Sequence, residues 1–324
     1  MVSRLLKRRT SKVNGVLLLG STDVTLAVAD AALGVGVEIA GIVSVGGSFH
    51  ISYSQDKVQN SRQVDISGWC LNNGIKHIKF SSYDDVSRSV AQKPPILCLA
   101  AGWYHMVPRR FRLLFPMGCF GFHASLLPQL RGGAPLNWAI LTGMKQTGVT
   151  LFELTDGVDD GMVFGQEQFE IASDSLIGEL VAHSRDACRR LTENCLPALL
   201  IGALPGRQQE GAPTYGLQRR PEDGRIDWCQ NAETIDRLVR AVSRPYPGAF
   251  SILEGEQIRI WRAYPAKGLP KVFGQPGQIV RLGECSDPCV VTGDGLLALR
   301  EADGADGHCY IDKLRQSGHK RFGS

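Results

Sequence analysis

The sequence predicts a chain of the α/β class that is followed by a smaller, mainly β unit. Apolar runs alternate with helical segments in the first part, a stretch rich in Gly, Pro and Gln follows at residues 203–216, and short strand-like runs with glycine turns occupy the rest. A chain of 324 residues suits two domains better than one core. We therefore predict a basic tail at 1–12, a first domain at 13–203, a linker at 204–212 and a second domain at 213–324.

The first domain begins with the apolar run GVLLLGS at 15–21, and TDVTLAVADAALGVG after it has helical spacing and a glycine stop. Further apolar runs follow at 37–45, 75–80, 94–103, 118–123 and 147–154. Strands separated by helical pieces are typical of a parallel sheet with helices on both faces, so we predict a Rossmann-like domain with a parallel core. The turn LGSTD lacks GxGxxG, which argues against a nicotinamide dinucleotide.

The second part of the chain has its own pattern. Residues 173–202 form a long amphipathic stretch that predicts a helix, in which Pro197 forms a kink or starts a separate last turn. After the linker, residues 226–243 have a helical period, and PGAFSILEGEQIRIWRAYP predicts a hairpin that turns at Glu254–Gly255. Short strands with glycine turns then predict a small barrel-like domain of the OB type.

The composition of the chain argues against membrane insertion, secretion and a metal site. No apolar run approaches the roughly 20 residues of a membrane span, so we expect no membrane partner. The N-terminal residues are basic but lack the apolar stretch and cleavage site of a signal peptide, so we expect a cytoplasmic protein. The nine cysteines form no CxxC pair, and Cys285 and Cys289 have no second cluster of ligands. We therefore expect no metal.

A histidine and a group of aspartates mark the candidate site. His123 ends the run MGCFGFH, and Asp156, Asp159 and Asp160 follow the run TGVTLFEL. If both strands are parallel, the two groups leave the sheet at the same edge, where open α/β sheets bind ligands. A carboxylate beside an imidazole forms an acid/base pair. No GxSxG elbow or orienting partner for a cysteine is present, which favours direct transfer to a nucleophile on the substrate.

The residues around this pair resemble the folate-dependent formyltransferases. FHASLLPQLRGGAPLNWAILTGMKQTGVTLFELTDGVDDGMVFGQ at 122–166 is similar to the family signature HxSLLPxxRGxxP, followed by TGVT and a DxGxI-type turn. AGWYHMVPRRF at 101–111 resembles the loop that flanks the pterin pocket. RRPEDGRIDW at 219–228, VRAVSRPYPGAF at 239–250 and IRIWRA resemble the C-terminal barrel of methionyl-tRNA and amino-sugar formyltransferases.

The resemblance implies an enzyme that transfers a formyl group from 10-formyltetrahydrofolate to a primary amine. It implies that His123 acts on the formyl carbonyl and that Asp159 pairs with it and manages protons. The implied cofactor-binding residues are Gly102, Trp103, Tyr104, Met106, Asp156, Gly157 and Val158. Ser125, Arg131 and Gly132 are expected to bind substrate or shape the loop.

One position departs from the family pattern. The family usually has asparagine two residues before the histidine, and this chain has Gly121. Loss of a side-chain donor at such a site costs on the order of a hundredfold in rate. Either water, a backbone N–H or another side chain replaces it, or the enzyme is slow or altered.

The resemblance leaves the identity of the acceptor amine open, and we consider three hypotheses. Residues 1–12 carry five basic side chains and no acid, so the remaining 312 residues sum to −1. The region where the family carries a basic tRNA-gripping insertion has only Lys57 and Arg62, and residues 205–324 have seventeen Lys/Arg against fifteen Asp/Glu. These counts favour a small amine, such as a nucleotide-linked amino sugar whose diphosphate could contact Arg109, Arg110 or Arg131. The alternatives are methionyl-tRNA and a folate-binding protein without turnover.

Overall fold

The structure is a computed structural model, and it describes residues 15–50, 57–283 and 285–323. The predicted tail at 1–12 lies outside the described residues. The described residues form two compact units whose chain segments alternate. The first unit takes the residues up to Gly132 together with Thr147–Phe169 and Ala182–Tyr215, and the second takes Gly133–Gln146, Glu170–Val181 and the residues from Gly216 onward.

The strands and helices have the following bounds. The strands are β1 (Val16–Leu19), β2 (Ile39–Ser44), β3 (Ser48–His50), β4 (Lys57–Gln59), β5 (His77–Lys79), β6 (Leu97–Ala100), β7 (Cys119–His123), β8 (Arg131–Gly132), β9 (Gln146–Glu153), β10 (Val163–Glu170), β11 (Tyr215–Gly216), β12 (Ala249–Leu253), β13 (Glu256–Pro265), β14 (Ile279–Val280), β15 (Cys289–Val291) and β16 (Leu296–Asp303). The helices are α1 (Asp23–Gly34), α2 (Ile66–Asn72), α3 (Tyr83–Val90), α4 (Arg109–Arg112), α5 (Pro135–Leu141), α6 (Ile177–Leu199), α7 (Ala232–Val242) and α8 (Ile311–Gln316), with a 3-10 turn at Pro221–Gly224.

The first unit contains a seven-stranded sheet in the order β10-β9-β7-β6-β1-β2-β5. The strands β5, β2, β1, β6 and β7 run parallel, as the alternation of apolar runs predicts. Side chains of β1 point alternately to two buried clusters, with Leu18 in one and Leu17 in the other. Residues of α1 and α6 belong to the first cluster and residues of α3 and α4 to the second, so helices cover both faces. The predicted Rossmann-like class is confirmed.

The condition that the strands before His123 and before the aspartates are parallel is not met, because of β9. This strand pairs antiparallel with β7, so that His123 lies opposite Thr150 and Phe120 opposite Glu153. A parallel neighbour needs a long crossover, usually a helix on the face of the sheet. The connection from β7 to β9 contains one helix, α5, and that helix belongs to the second unit. The chain therefore returns to the sheet in the opposite direction.

The second unit contains a five-stranded antiparallel sheet in the order β12-β13-β16-β15-β14. Residues near the C-terminus bond to both edges of this sheet: Lys320 accepts from Ile279 N–H, and Gly323 donates to Ile252 O at 2.8 Å. The sheet is thus close to a closed barrel, which confirms the small barrel-like domain. Its first hairpin turns at Glu254 and Gly255, whose φ angles of 51° and 81° lie in the left-handed region.

The structure differs from the sequence-based expectation at Pro197 and in the predicted linker. Helix α6 continues through Pro197 and ends at Leu199. The predicted linker at 204–212 pairs with the first sheet, because Arg207 and Val163 exchange two backbone hydrogen bonds of 2.8 and 2.9 Å. No described helix is long and apolar enough to cross a membrane.

Candidate active site

His123 is the last residue of β7, and its side chain is nearly buried, with 9% exposed. Its Nε2 lies 2.7 Å from the carbonyl oxygen of Leu130. Its Nδ1 lies 3.3 Å from Oδ2 of Asp159. The structure therefore brings together the two residues that the resemblance implies as the catalytic pair.

Asp159 reaches His123 although β9 runs antiparallel to β7. The premise that both strands end at the same edge is wrong, and the segment 154–162 makes the contact instead. In this segment Asp159 has φ 49°, in the left-handed region that non-glycine residues seldom adopt. Its Oδ2 accepts a hydrogen bond of 2.7 Å from the N–H of Gly132, whose own φ is 93°. The carboxylate is therefore held from both sides, by a backbone amide and by the imidazole.

The contacts of His123 determine where protons can be. A carbonyl oxygen only accepts, so Nε2 must carry the hydrogen that it donates to Leu130. Nδ1 then faces the carboxylate of Asp159, which can accept a hydrogen bond, so a proton gained by the pair would be shared between Nδ1 and Oδ2. The pair can consequently hold one transferable proton between its two members.

Leu130 makes the first of these contacts possible. Its φ of 54° is an outlier for a bulky residue and turns its carbonyl oxygen toward the imidazole. Its N–H donates to Oγ1 of Thr214 at 2.8 Å, and the N–H of Arg131 donates to the carbonyl of Thr214 at 2.9 Å. Thr214 thus fixes the strained backbone that orients His123.

Gly121 lies on the same face of β7 as His123, because side chains alternate along a strand. A Cβ built there would lie 2.8 Å from Cδ2 of Leu154 and 3.4 Å from Cε1 of Phe152. The space above Gly121 is thus occupied by an apolar side chain that follows β9. The glycine leaves room for Leu154 where the family usually has an amide.

The residues implied in cofactor binding fall in two segments that Arg112 connects. The guanidinium of Arg112 donates to the carbonyls of Val107 and Thr155, at 2.7 and 2.8 Å, and to the carboxylate of Asp156 at 2.6 Å. Its side chain is only 12% exposed. The loop 101–107 and the loop 154–162 are therefore held side by side, as a shared cofactor site requires.

The first of these segments is partly packed into an aromatic cluster. Gly102 has φ 67°, and a Cβ there would lie 2.1 Å from Thr22 Oγ1, so the close approach requires glycine. Trp103 donates to the hydroxyl of Tyr83 at 3.0 Å, and its ring is 5.0 Å from that of Phe80. Burial raises the pKa of Tyr83, which keeps the hydroxyl protonated.

Three of the residues implied in cofactor binding are exposed, the apolar Met106 and Val158 and the charged Asp156. Met106 and Val158 each expose about half of their surface, 49% and 48%. Tyr104 donates to Oδ1 of Asn60 at 2.9 Å. Gly157 lies where a Cβ would meet Oδ2 of Asp160 at 2.0 Å, so a side chain at this position would displace that carboxylate. These loops offer apolar contact surface and backbone polar groups, which suit a flat heterocycle with polar edges.

Ser125 and Arg131, which are expected to bind substrate or shape the loop after His123, both make hydrogen bonds within the chain. Ser125 is buried and donates to the carbonyl of Gln129 at 2.5 Å. Arg131 donates through Nε and one terminal nitrogen to Oε1 of Gln209, at 3.1 and 2.7 Å. Arg109 and Arg110 are exposed, and Arg110 lies 3.5 Å from a carboxylate oxygen of Asp84.

Sequence reasoning missed three residues of the site, Arg112, Gln209 and Thr214. Arg112 directly follows the segment 101–111 that resembles the pterin loop, and this place in the sequence could have indicated that it belongs to the site. Gln209 donates to the carbonyls of Asp159 and Gly161, at 2.8 and 2.9 Å. Gln209 lies in the predicted linker and Thr214 two residues after its end, and a composition of Gly, Pro and Gln does not indicate these contacts.

Comparisons with known proteins give two family matches. Residues 69–194 match the family described as formyl transferase, and residues 219–309 match the formyl transferase C-terminal domain. Together these segments cover more than half of the chain.

Solved structures share the fold. HypX from Aquifex aeolicus in complex with tetrahydrofolic acid is 18% identical, with a TM-score of 0.63 over 91% of this chain and 45% of that one. The present chain thus spans less than half of the length of HypX. The N-formyltransferase from Helicobacter canadensis, in complex with folinic acid and dTDP-3-aminofucose, is 14% identical, with a TM-score of 0.63 over 89% of this chain and 99% of that one.

A third structure is methionyl-tRNA formyltransferase from Clostridium thermocellum, which is 19% identical, with a TM-score of 0.54 over 79% of this chain and 95% of that one. The identities are low, so these three structures support the fold, while the two matched segments establish the family. The chain belongs to the formyl transferase family, which confirms the resemblance seen in its sequence.

Proposed function

We propose that this protein transfers a formyl group from 10-formyltetrahydrofolate to a primary amine. The observation that carries the proposal is the contact between His123 Nδ1 and Asp159 Oδ2, in a family whose members transfer formyl groups. The two loops that Arg112 holds together would bind the formyl donor, with Met106 and Val158 as apolar contacts.

The reaction needs a group that can take one proton and give it back. The amine nitrogen attacks the formyl carbon, a C–N bond forms, and the bond from that carbon to N10 of the donor breaks. The amine loses one proton and N10 gains one, so the net transfer is balanced. His123 and Asp159 can hold that proton in between. Both ring nitrogens face Leu130 and Asp159, so a protonated imidazole would act on negative charge at the formyl oxygen through its own positive charge.

The acceptor that we propose is a small amine, in particular a nucleotide-linked amino sugar. The C-terminal residues 205–324 carry nearly balanced charge. Arg62, one of two basic residues in the region where a tRNA-gripping insertion would lie, is engaged by Asp23 at 2.6 Å. A protein that holds tRNA needs several free cations for phosphate contacts. The structural likeness to an enzyme bound to dTDP-3-aminofucose is consistent with this choice.

The test is an assay of the purified chain with 10-formyltetrahydrofolate and a panel of acceptors. The panel contains nucleotide-linked 3-amino and 4-amino sugars, the free amino sugars and initiator methionyl-tRNA. We expect formylation of at least one nucleotide-linked sugar, detected as a mass gain of one formyl group. Formylation of tRNA alone would show that tRNA is the acceptor and would contradict the proposed amino-sugar substrate. Donor binding without transfer to any amine would support a binding protein and contradict the proposed activity.

A further inference from the structure

We propose that Gln209 is a positioning residue that acts on formyl transfer through Asp159. This inference rests on the proposed function, because it assigns Gln209 a part in the same site. Gln209 lies in the stretch that composition predicts to be a linker. Its carboxamide instead connects the two loops that carry the site.

The contacts of the Gln209 side chain use both of its ends. Nε2 donates to the carbonyls of Asp159 and Gly161, at 2.8 and 2.9 Å. Oε1 accepts two hydrogen bonds from the guanidinium of Arg131, at 2.7 and 3.1 Å. Because Arg131 can only donate, it fixes which end of the amide faces it. The nitrogen end must then face the Asp159 loop.

The backbone around Gln209 is anchored to the first unit. Two residues earlier, Arg207 exchanges a pair of hydrogen bonds with Val163, which follows the Asp159 loop directly. Five residues later, Thr214 holds the backbone of Leu130 and Arg131. The segment from Arg207 to Thr214 thus reaches both sides of the His123–Asp159 pair, with Gln209 between its two anchors.

Asp159 needs such support because its backbone is in the left-handed region, which is unfavourable for most residues with a side chain. The surrounding structure must compensate for this cost if the conformation is to persist. Gln209 bonds directly to the carbonyl of Asp159, and therefore holds the strained residue itself. Without the amide, the loop can relax and move the carboxylate away from His123 Nδ1.

The variant that tests this role is Gln209→Glu, which keeps the shape and the partner Arg131 but loses both donors. Gln208→Glu is the matched control, since Gln208 is exposed and the variant adds the same charge one residue away. A misplacement of about 1 Å at a catalytic group costs about 100-fold in rate. We expect Gln209→Glu to lower kcat by about 10–100-fold with the acceptor KM little changed, and Gln208→Glu to retain activity.

The same pair of variants made in an Asp159→Asn background separates positioning from general damage. If Gln209 acts through Asp159, Gln209→Glu should lower kcat only a little in the Asp159→Asn background, because the effects of substitutions at coupled residues are not additive. An equal fold-loss in both backgrounds, or full activity of Gln209→Glu in the native chain, would overturn the proposal.

A second measurement does not depend on activity. The N–H of Gly132 donates to Asp159 Oδ2, so hydrogen exchange at Gly132 reports whether the carboxylate is in place. We expect faster exchange at Gly132 in Gln209→Glu than in Gln208→Glu, whereas equal protection would refute the positioning role. If the native chain transfers no formyl group to any acceptor, the proposed function fails, and the exchange result still decides the role of Gln209.

Discussion

Substitution of Gly121 tests how this chain accommodates the loss of the family asparagine. A Cβ at this position would lie 2.8 Å from Leu154 Cδ2, whereas carbon atoms in contact are ordinarily about 3.5–4.0 Å apart. Leu154 must therefore retreat by roughly 0.7 Å or more for alanine to fit, and further for asparagine. Overpacking of this kind costs about 1–3 kcal/mol.

Because Cδ2 is the end of a flexible side chain, we expect Gly121→Ala to lower the free energy of unfolding by about 1 kcal/mol and Gly121→Asn by about 2–3 kcal/mol. Urea unfolding, followed by circular dichroism, measures both. In a Leu154→Ala background the cost of Gly121→Ala should fall by at least about 0.5 kcal/mol, because the two side chains compete for one space. Equal costs in both backgrounds would refute the argument that Leu154 fills the site of the missing amide.

Two further predictions concern a loop and a turn. Arg112→Lys keeps the charge but loses the planar guanidinium that hydrogen-bonds to both loops. We expect the free energy of unfolding to fall by about 1–3 kcal/mol and the KM for the formyl donor to rise. If the exposed control Arg110→Lys has the same effect, Arg112 does not act by bridging the two loops. Glu254 occupies a left-handed position before Gly255, where asparagine is favoured, so Glu254→Asn should stabilise the chain by about 0.5–1 kcal/mol. Glu254→Gln loses the same ion pair with Lys320 without relieving the backbone, and an equal stabilisation by that variant would contradict the reasoning.

The sequence predicts the elements of the fold well because their signals are local. The runs at 15–21 and 118–123 contain β1 and β7, and the turn at Glu254–Gly255 is where it was expected. Each of these depends on a few neighbouring residues with apolar periodicity or turn chemistry. Strand β10 was missed, since its polar sequence VFGQEQFE has no apolar run and its residues are mostly half-buried.

The direction of β9 could not be read from its own residues. An apolar run looks the same in a parallel and in an antiparallel strand, and the direction depends on what the connection between β7 and β9 packs against. The prediction that His123 and Asp159 meet came from a wrong premise about this strand together with a correct resemblance. The left-handed backbone of Asp159 is what completes the contact, and single residues with positive φ are not visible in a hydrophobic pattern.

The supporting residues of the site depend on contacts between distant parts of the chain. Gln209 lies 50 positions after Asp159, and Arg112 lies 44 positions before Asp156. No local period indicates such pairs, and polar side chains in an irregular stretch normally indicate an exposed connection. Only the hydrogen bonds of the folded chain connect these residues to the candidate site.

The most direct measurement of the central claim is single-turnover formyl transfer by His123→Ala and Asp159→Asn, together with binding of the formyl donor by calorimetry. If the pair performs the chemistry, each variant loses transfer by at least about 100-fold and still binds 10-formyltetrahydrofolate with nearly native affinity. The double variant should be little slower than the slower single variant, because the residues act as a unit. Native rates of transfer in either single variant would contradict the assignment of His123 and Asp159 as the catalytic pair.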